Sequence, residues 1–239
     1  LVFRTTDQLE SSIRQALKKA AQHFGQLAEL PTETKWREVL SGEAGGLNFY
    51  CSPPVASSYT TPGKSGELIA RLVNRTYKID KTYSYNISTF QPDERLLIVD
   101  DGSFTGEQLD SFLVAYEPAK RNQGKVAIVL AVAHENAICL LRNKHPSVPL
   151  FCGEVILASH CFEGMAQSWV DKKLWVHEDC SPLDIYRQIC AKHNLALGAD
   201  AGLGFGGLGV MLGYEHGIPD DAIRLLWDHS ETWDPLIER

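Results

Sequence analysis

The sequence lacks most of the features that would assign it to a special class. No uninterrupted apolar stretch approaches the roughly 20 residues needed to cross a bilayer as a helix; the longest runs only from Val126 to Ala133. A transmembrane helix, and with it a membrane partner, is excluded. No two cysteines are spaced as CxxC, and the six present (Cys51, Cys139, Cys152, Cys161, Cys180, Cys190) mostly lie in apolar or helical stretches. That pattern argues against a disulfide framework and fits reduced, buried thiols in a cytoplasmic protein. Positive charge is in deficit, 23 Lys and Arg against 30 Asp and Glu for a net -7. Nonspecific nucleic-acid binding, which needs clustered basic residues, is not expected. No repeat, low-complexity tract or Pro/Gly/Ser linker divides the chain. What remains is ordinary globular material: 239 residues, 44% hydrophobic and 22% charged, enough to build a core without staples. The sequence starts at Leu1 rather than at a methionine and leaves open what precedes it.

Periodicity supplies the organisation. Leu9, Ile13, Ala16, Leu17, Ala20, Phe24 and Leu27 recur at helical spacing, with Asp7 and Glu10 as a capping box. A second helix is predicted over Glu67 to Tyr77, directly after the turn Thr61 to Gly66. Arg95 to Asp100 reads as a buried strand, followed by a turn and a helix that turns Leu109, Phe112, Leu113 and Tyr116 inward. Lys125 to Ala133 reads as a strand covered on both faces, so that strand, helix and strand form a right-handed βαβ unit. Val155 to Ala158 is a third apolar run, and Ser181-Pro182 opens a helix that runs through His193.

The most informative stretch is Leu97-Ile98-Val99-Asp100-Asp101-Gly102-Ser103-Phe104-Thr105-Gly106-Glu107. It sets two carboxylates where a parallel strand leaves the sheet and follows them with a tight turn into a helix. Ligands of open α/β sheets bind at the carboxyl ends of the strands. The amides of the turn and the helix dipole make an anion site, while the carboxylates accept hydrogen bonds or hold a cation. A sugar phosphate satisfies both halves, with its phosphate in the turn and its hydroxyls donating to the aspartates.

These residues resemble the signature of type I phosphoribosyltransferases, which use 5-phosphoribosyl 1-diphosphate (PRPP) and Mg2+. The likeness implies that Asp100 and Asp101 serve as the catalytic acids on the ribose hydroxyls, and that Gly102, Ser103, Phe104, Thr105 and Gly106 form the loop around the 5-phosphate. Upstream, Gly63-Lys64-Ser65-Gly66 resembles the family's diphosphate loop, which implies that Lys64, Ser65 and Gly66 hold the leaving group. Many members carry a hydroxyl residue where this chain has Phe104, and small or hydroxyl residues at the positions of Glu107 and Gln108. Glu107 either faces the turn, where it would repel a phosphate, or points to solvent. The ending, Glu215-His216-Gly217-Ile218-Pro219, Leu226-Trp227 and Trp233-Asp234-Pro235-Leu236, resembles phosphoribosyltransferase-like proteins of bacterial conflict and antiphage defence operons. That likeness implies a defence-system protein partner.

Other motifs are weaker. The paired acids also suit a receiver domain, but the next strand closes with Ala133-His134-Glu135-Asn136 and supplies no phosphoacceptor. A P-loop needs glycine where Ser58 stands. Gly202 to Gly207 matches GxGxxG by letter without the flanking strand and helix, and reads as a flexible or close-packed loop. His177, Cys180, Cys190 and His193 have metal-like spacing, but a helix opening at Pro182 carries Cys190 about 12 Å along its axis from there, so no metal ligand is assigned. His160 and His216 read as packing residues. Trp227 and Trp233 either bury the tail against the sheet or, if it forms a hood, stack on a base.

The expected architecture is α/β: a parallel-sheet phosphoribosyltransferase-like core over residues 51–200 with helices on both faces, preceded by an N-terminal helical segment over 1–50 and followed by a C-terminal appendage over 201–239 that packs on the core. The expected function is binding of PRPP or a related ribose phosphate with Mg2+, and transfer of phosphoribosyl to a base-type acceptor. The alternative is a nucleotide-sensing or partner-binding module without turnover on the same fold.

Overall fold

A computed structural model of the chain describes residues 1–54, 65–77, 79, 94–115 and 124–237. It divides into two compact units, one of Leu9–Val155 and one that joins Leu1–Gln8 to Ile156–Arg239.

The first unit is built on a four-stranded sheet in the order β2-β3-β4-β5: β2 (Asn48–Ser52), β3 (Glu94–Ser103), β4 (Val126–His134) and β5 (Leu150–Ile156). The β2–β3 and β3–β4 pairs are parallel. The apolar run in β4 is buried at every residue, as a strand with helices on both faces requires. One face carries Leu96, Ile98, Ile128 and Leu130, which pack with Leu109, Phe112 and Leu113 of α4 (Glu107–Ala115) and Leu141 of α5 (Glu135–Lys144). The other face takes α1 (Thr6–Leu27): Phe24 meets Phe49 of β2 edge-on at 5.4 Å, and Lys19 Nζ donates to the Cys152 carbonyl of β5 at 2.8 Å. Gly153 is required there, because a Cβ would overlap the Ser12 backbone. A short α2 (Trp36–Leu40) and α3 (Ser65–Tyr77) meet where Trp36 lies 5.4 Å from the Tyr77 ring.

Three expectations are corrected. The capping box of α1 is Thr5 with Gln8, each side chain bonding the other's amide at 3.3 and 3.1 Å, because the helix begins at Thr6 and not beyond Asp7. Strand β5 ends at Ile156, so the third apolar run of the core is Leu150 to Ile156 rather than Val155 to Ala158. Strand β3 continues beyond the aspartates through Ser103, because Gly102 and Ser103 still pair with Val132 and Ala133 of β4.

In the second unit β1 (Val2–Arg4) pairs in parallel with β6 (Leu212–Tyr214). Helices α6 (Phe162–Asp171) and α7 (Pro182–Lys192) contribute Phe162, Tyr186 and Cys190 to a core completed by Leu203, Ala222, Ile223 and Leu226. The start of α7 is capped as its sequence requires, with Ser181 and Asp184 forming a reciprocal capping box and Pro182 in the first turn. The glycine run is close-packed in its first half: Gly204 has φ +81°, and a side chain there would overlap the Asp221 and Ala222 backbone, whereas Phe205 and Gly206 are exposed. Trp227 and Trp233 are partly buried against this core, their indole N–H groups donating to the Ala222 and Leu225 carbonyls. Among the described residues no helix is long and apolar enough to cross a membrane.

Candidate functional site

The candidate residues lie at the carboxyl edge of the sheet, at the ends of three neighbouring strands. Asp100 and Asp101 lie in β3 and are 6% and 8% exposed. Successive residues of a strand point to opposite faces. Asp100 thus shares the face of Leu96 and Ile98, and Asp101 that of Leu97 and Val99. Each carboxylate accepts the amide of the residue after it, Asp100 Oδ1 from Asp101 N and Asp101 Oδ1 from Gly102 N, both at 3.0 Å.

Gly66, in the first turn of α3, brings the second sequence motif against the first. A Cβ on Gly66 would stand 2.9 Å from Asp100 Oδ1 and 3.1 Å from Pro53 Cβ. The Ser65-Gly66 start of α3, the chain just beyond β2 and the acid of β3 therefore meet at one point, although 34 positions separate residues 66 and 100 in the sequence. Lys64 lies outside the described residues.

The turn after β3 is short because α4 begins at Glu107. Ser103 is 8% exposed and Phe104 6%, so the phenyl ring belongs to the interior of the unit. Glu107 and Gln108 are exposed. Glu107 thus stands as an ordinary acid in the first turn of a helix, where the dipole favours it. The Thr105 hydroxyl accepts the Glu107 amide at 3.4 Å, and the Gly106 carbonyl accepts the Asp110 amide at 2.9 Å. Gly106 has φ +85°, and a Cβ there would lie 3.0 Å from Ala137 Cα and 3.1 Å from Leu140 Cδ2 of α5. Glycine is needed both for the backbone angle and for this seat on α5.

The PRTase-CE family model matches residues 1–239, the whole sequence. The chain belongs to the PRTase-CE family. The core is accordingly phosphoribosyltransferase-like, and its parallel sheet with flanking helices is the α/β architecture expected for it. No curated protein matches the sequence.

In this PRTase-CE chain His134, which the sequence pattern marks only as the close of a strand without a phosphoacceptor, stands at the same sheet edge. It ends β4 and caps α5, its Nδ1 accepting the Asn136 amide at 3.1 Å. The residue is 1% exposed, and its Nε2 has no hydrogen-bond partner among the described residues. Burial holds its pKa below the ordinary histidine value, with the charge of Glu135 opposing. The available signal was positional: a polar residue closing an apolar strand beside the acidic one. Further along α4 and α5, Asp110 accepts from Lys144 Nζ at 2.6 Å and lies 2.9 Å from His145 Nε2, tying the two helices together. Its carboxyl is held below the ordinary value chiefly by the Lys144 bond.

Proposed function

We propose that this edge binds PRPP or a related ribose phosphate with Mg2+. The observation that carries the reading is the approach of Gly66 to Asp100, because it joins the motif matched to a leaving-group loop to the motif matched to a ribose site. In this reading the diphosphate lies along Lys64, Ser65 and Gly66, the ribose hydroxyls donate to Asp100 and Asp101, and the 5-phosphate takes the amides of the Gly102 to Gly106 turn. The donor set suits Mg2+, a hard cation that binds one or two carboxylates together with substrate oxygens. No group of three or more His, Cys, Asp or Glu among the described residues is arranged to hold a metal alone, so the ion would be shared with the ligand's phosphates and would neutralise the departing charge.

The reaction is cleavage of the bond from C1 of the ribose to the diphosphate oxygen, with both electrons leaving on diphosphate. A base nitrogen then bonds C1, and its proton passes to the released diphosphate or to water. The two carboxylates stabilise and orient the cationic ribose between these events. The likeness of the ending to conflict-operon proteins supports work beside a defence-system partner; a genomic neighbourhood without defence genes would count against that setting.

A second reading is a nucleotide-sensing or partner-binding module without turnover on the same fold; it is favoured by Phe104, whose buried ring gives the turn no hydroxyl. Release of diphosphate with any candidate base would exclude it. Calorimetric titration with PRPP and Mg2+ tests the first reading. We expect saturable binding that is lost in the double variant Asp100→Asn, Asp101→Asn. In Gly66→Ala it should weaken at least about tenfold, because a Cβ there would crowd both the Asp100 carboxylate and Pro53 Cβ. Unchanged affinity in the double variant would refute the assigned geometry.

A further inference from the structure

The unpartnered nitrogen of His134 is the polar group of this edge that the proposed site leaves unexplained. Because Nδ1 accepts the Asn136 amide, the ring proton lies on Nε2, which makes Nε2 a donor. A donor in a residue only 1% exposed, with no acceptor among the described residues, is costly to leave unmade and calls for a reason. The register indicates one. Ser103 pairs with Ala133, the last pair of the ladder, so Phe104, the first residue of the turn, and His134 leave neighbouring strands at the same level.

A peptide's N–H and C=O point in opposite directions, so a turn that aims its amides at a phosphate aims the corresponding carbonyls back into the protein. A buried carbonyl in turn needs a donor. The Gly106 carbonyl accepts from Asp110; the Phe104 and Thr105 carbonyls belong to the peptides that carry the Thr105 and Gly106 amides, so they are the ones a phosphate-binding turn would aim inward.

We infer that His134 is a positioning residue whose Nε2–H donates to the Phe104 or Thr105 carbonyl when an oxyanion occupies the turn. This rests on the phosphate reading of the turn and deepens it. One imidazole thus serves both sides of the turn: Nδ1 caps α5, on whose first turn Gly106 is seated, and Nε2 locks the turn in its ligand-bound form. Neither role requires contact with the ligand, in keeping with the ring's burial.

Two isosteric substitutions separate the roles. His134→Asn keeps an acceptor near the Nδ1 position for the cap and removes the Nε2 donor. His134→Gln keeps a donor near Nε2 and removes the cap. With ribose 5-phosphate and inorganic phosphate as probes, His134→Asn is expected to bind about tenfold more weakly at unchanged Tm, and His134→Gln to melt lower while binding within about twofold of the wild type. In the wild-type protein, long-range proton–nitrogen NMR should show the His134 Nε2 proton moving downfield and exchanging more slowly on saturation with ribose 5-phosphate. A wild type that binds while its Nε2 signal stays fixed would overturn this inference alone, as would equal losses of affinity in the two variants. A wild type that binds neither probe would overturn the phosphate reading of the turn and this inference with it.

Discussion

The two units use their polar side chains differently. In Leu9–Val155 the polar groups of the site stand on regular elements: Asp100, Asp101 and Ser103 on β3, and His134 at the junction of β4 and α5. In the other unit they are committed to irregular backbone. The Tyr186 hydroxyl donates to the Gly202 carbonyl and accepts the Arg224 amide at 3.3 Å, the indoles of Trp227 and Trp233 hold the Ala222 and Leu225 carbonyls, and Glu215 holds the start of α1. A parallel sheet pairs most of its own backbone through its ladder, and the side chains at its edge meet single neighbouring amides, as Asp100, Asp101 and His134 do for Asp101, Gly102 and Asn136. A glycine-rich loop has no ladder, and its buried carbonyls and amides must be met by side chains. On the proposed reading the ligand sits at the sheet edge, while Glu215, Trp227 and Trp233 of the tail hold backbone groups.

The largest effect that would test this contrast is in the sheet. Ile128 is fully buried and pairs with Ile98. Ile128→Ala should cost about 2–5 kcal/mol in urea unfolding, the sum of lost transfer energy and a cavity. Tyr186→Phe should come next. It leaves the Gly202 carbonyl and the Arg224 amide without the hydroxyl, at about 1–3 kcal/mol, and should leave affinity for ribose 5-phosphate unchanged. If Tyr186→Phe instead abolished ligand binding at preserved fold, the division of labour between the units would be wrong.

Much of the sheet was legible because burial on both faces leaves a continuous apolar run, as in Val126 to Ala133, and because acids that interrupt such a run are conspicuous. The ends of β3 were not, since Gly102 and Ser103 carry no strand propensity and extend the strand only through pairing with Val132 and Ala133. Nor was the meeting of Gly66 with Asp100, a long-range contact that local pattern cannot encode. Phe104 and Glu107 looked like departures from a phosphate loop. One turns into the interior and the other to solvent, a distinction that depends on where the turn ends and not on residue type. His134 carried no sign of a site role, because a lone histidine after an apolar run has no periodic signal; its place became visible only once the register set it level with the turn.

The smallest expected effect concerns Glu215, a residue of the defence-operon likeness whose visible work is structural. Its Oε2 accepts both the amide and the hydroxyl of Thr6 at 2.8 Å, so a carboxylate far along the chain serves the open N-terminus of α1. The backbone bond first, and then the hydroxyl, holds its carboxyl below its ordinary pKa of 4.5. A group whose folded pKa is depressed contributes stability that is present above its unfolded pKa and is lost as pH falls through the folded one. Glu215→Gln should therefore lower Tm slightly at neutral pH, and the gap to the wild type should close as the pH is taken down from about 4.5. Asp110, depressed by Lys144 in the other unit, keeps the same sign, so the acid limb of the variant should be shallower without disappearing. A gap that persisted unchanged into acid would mean that Glu215 acts through shape and not charge, and the tail motif would then need another explanation.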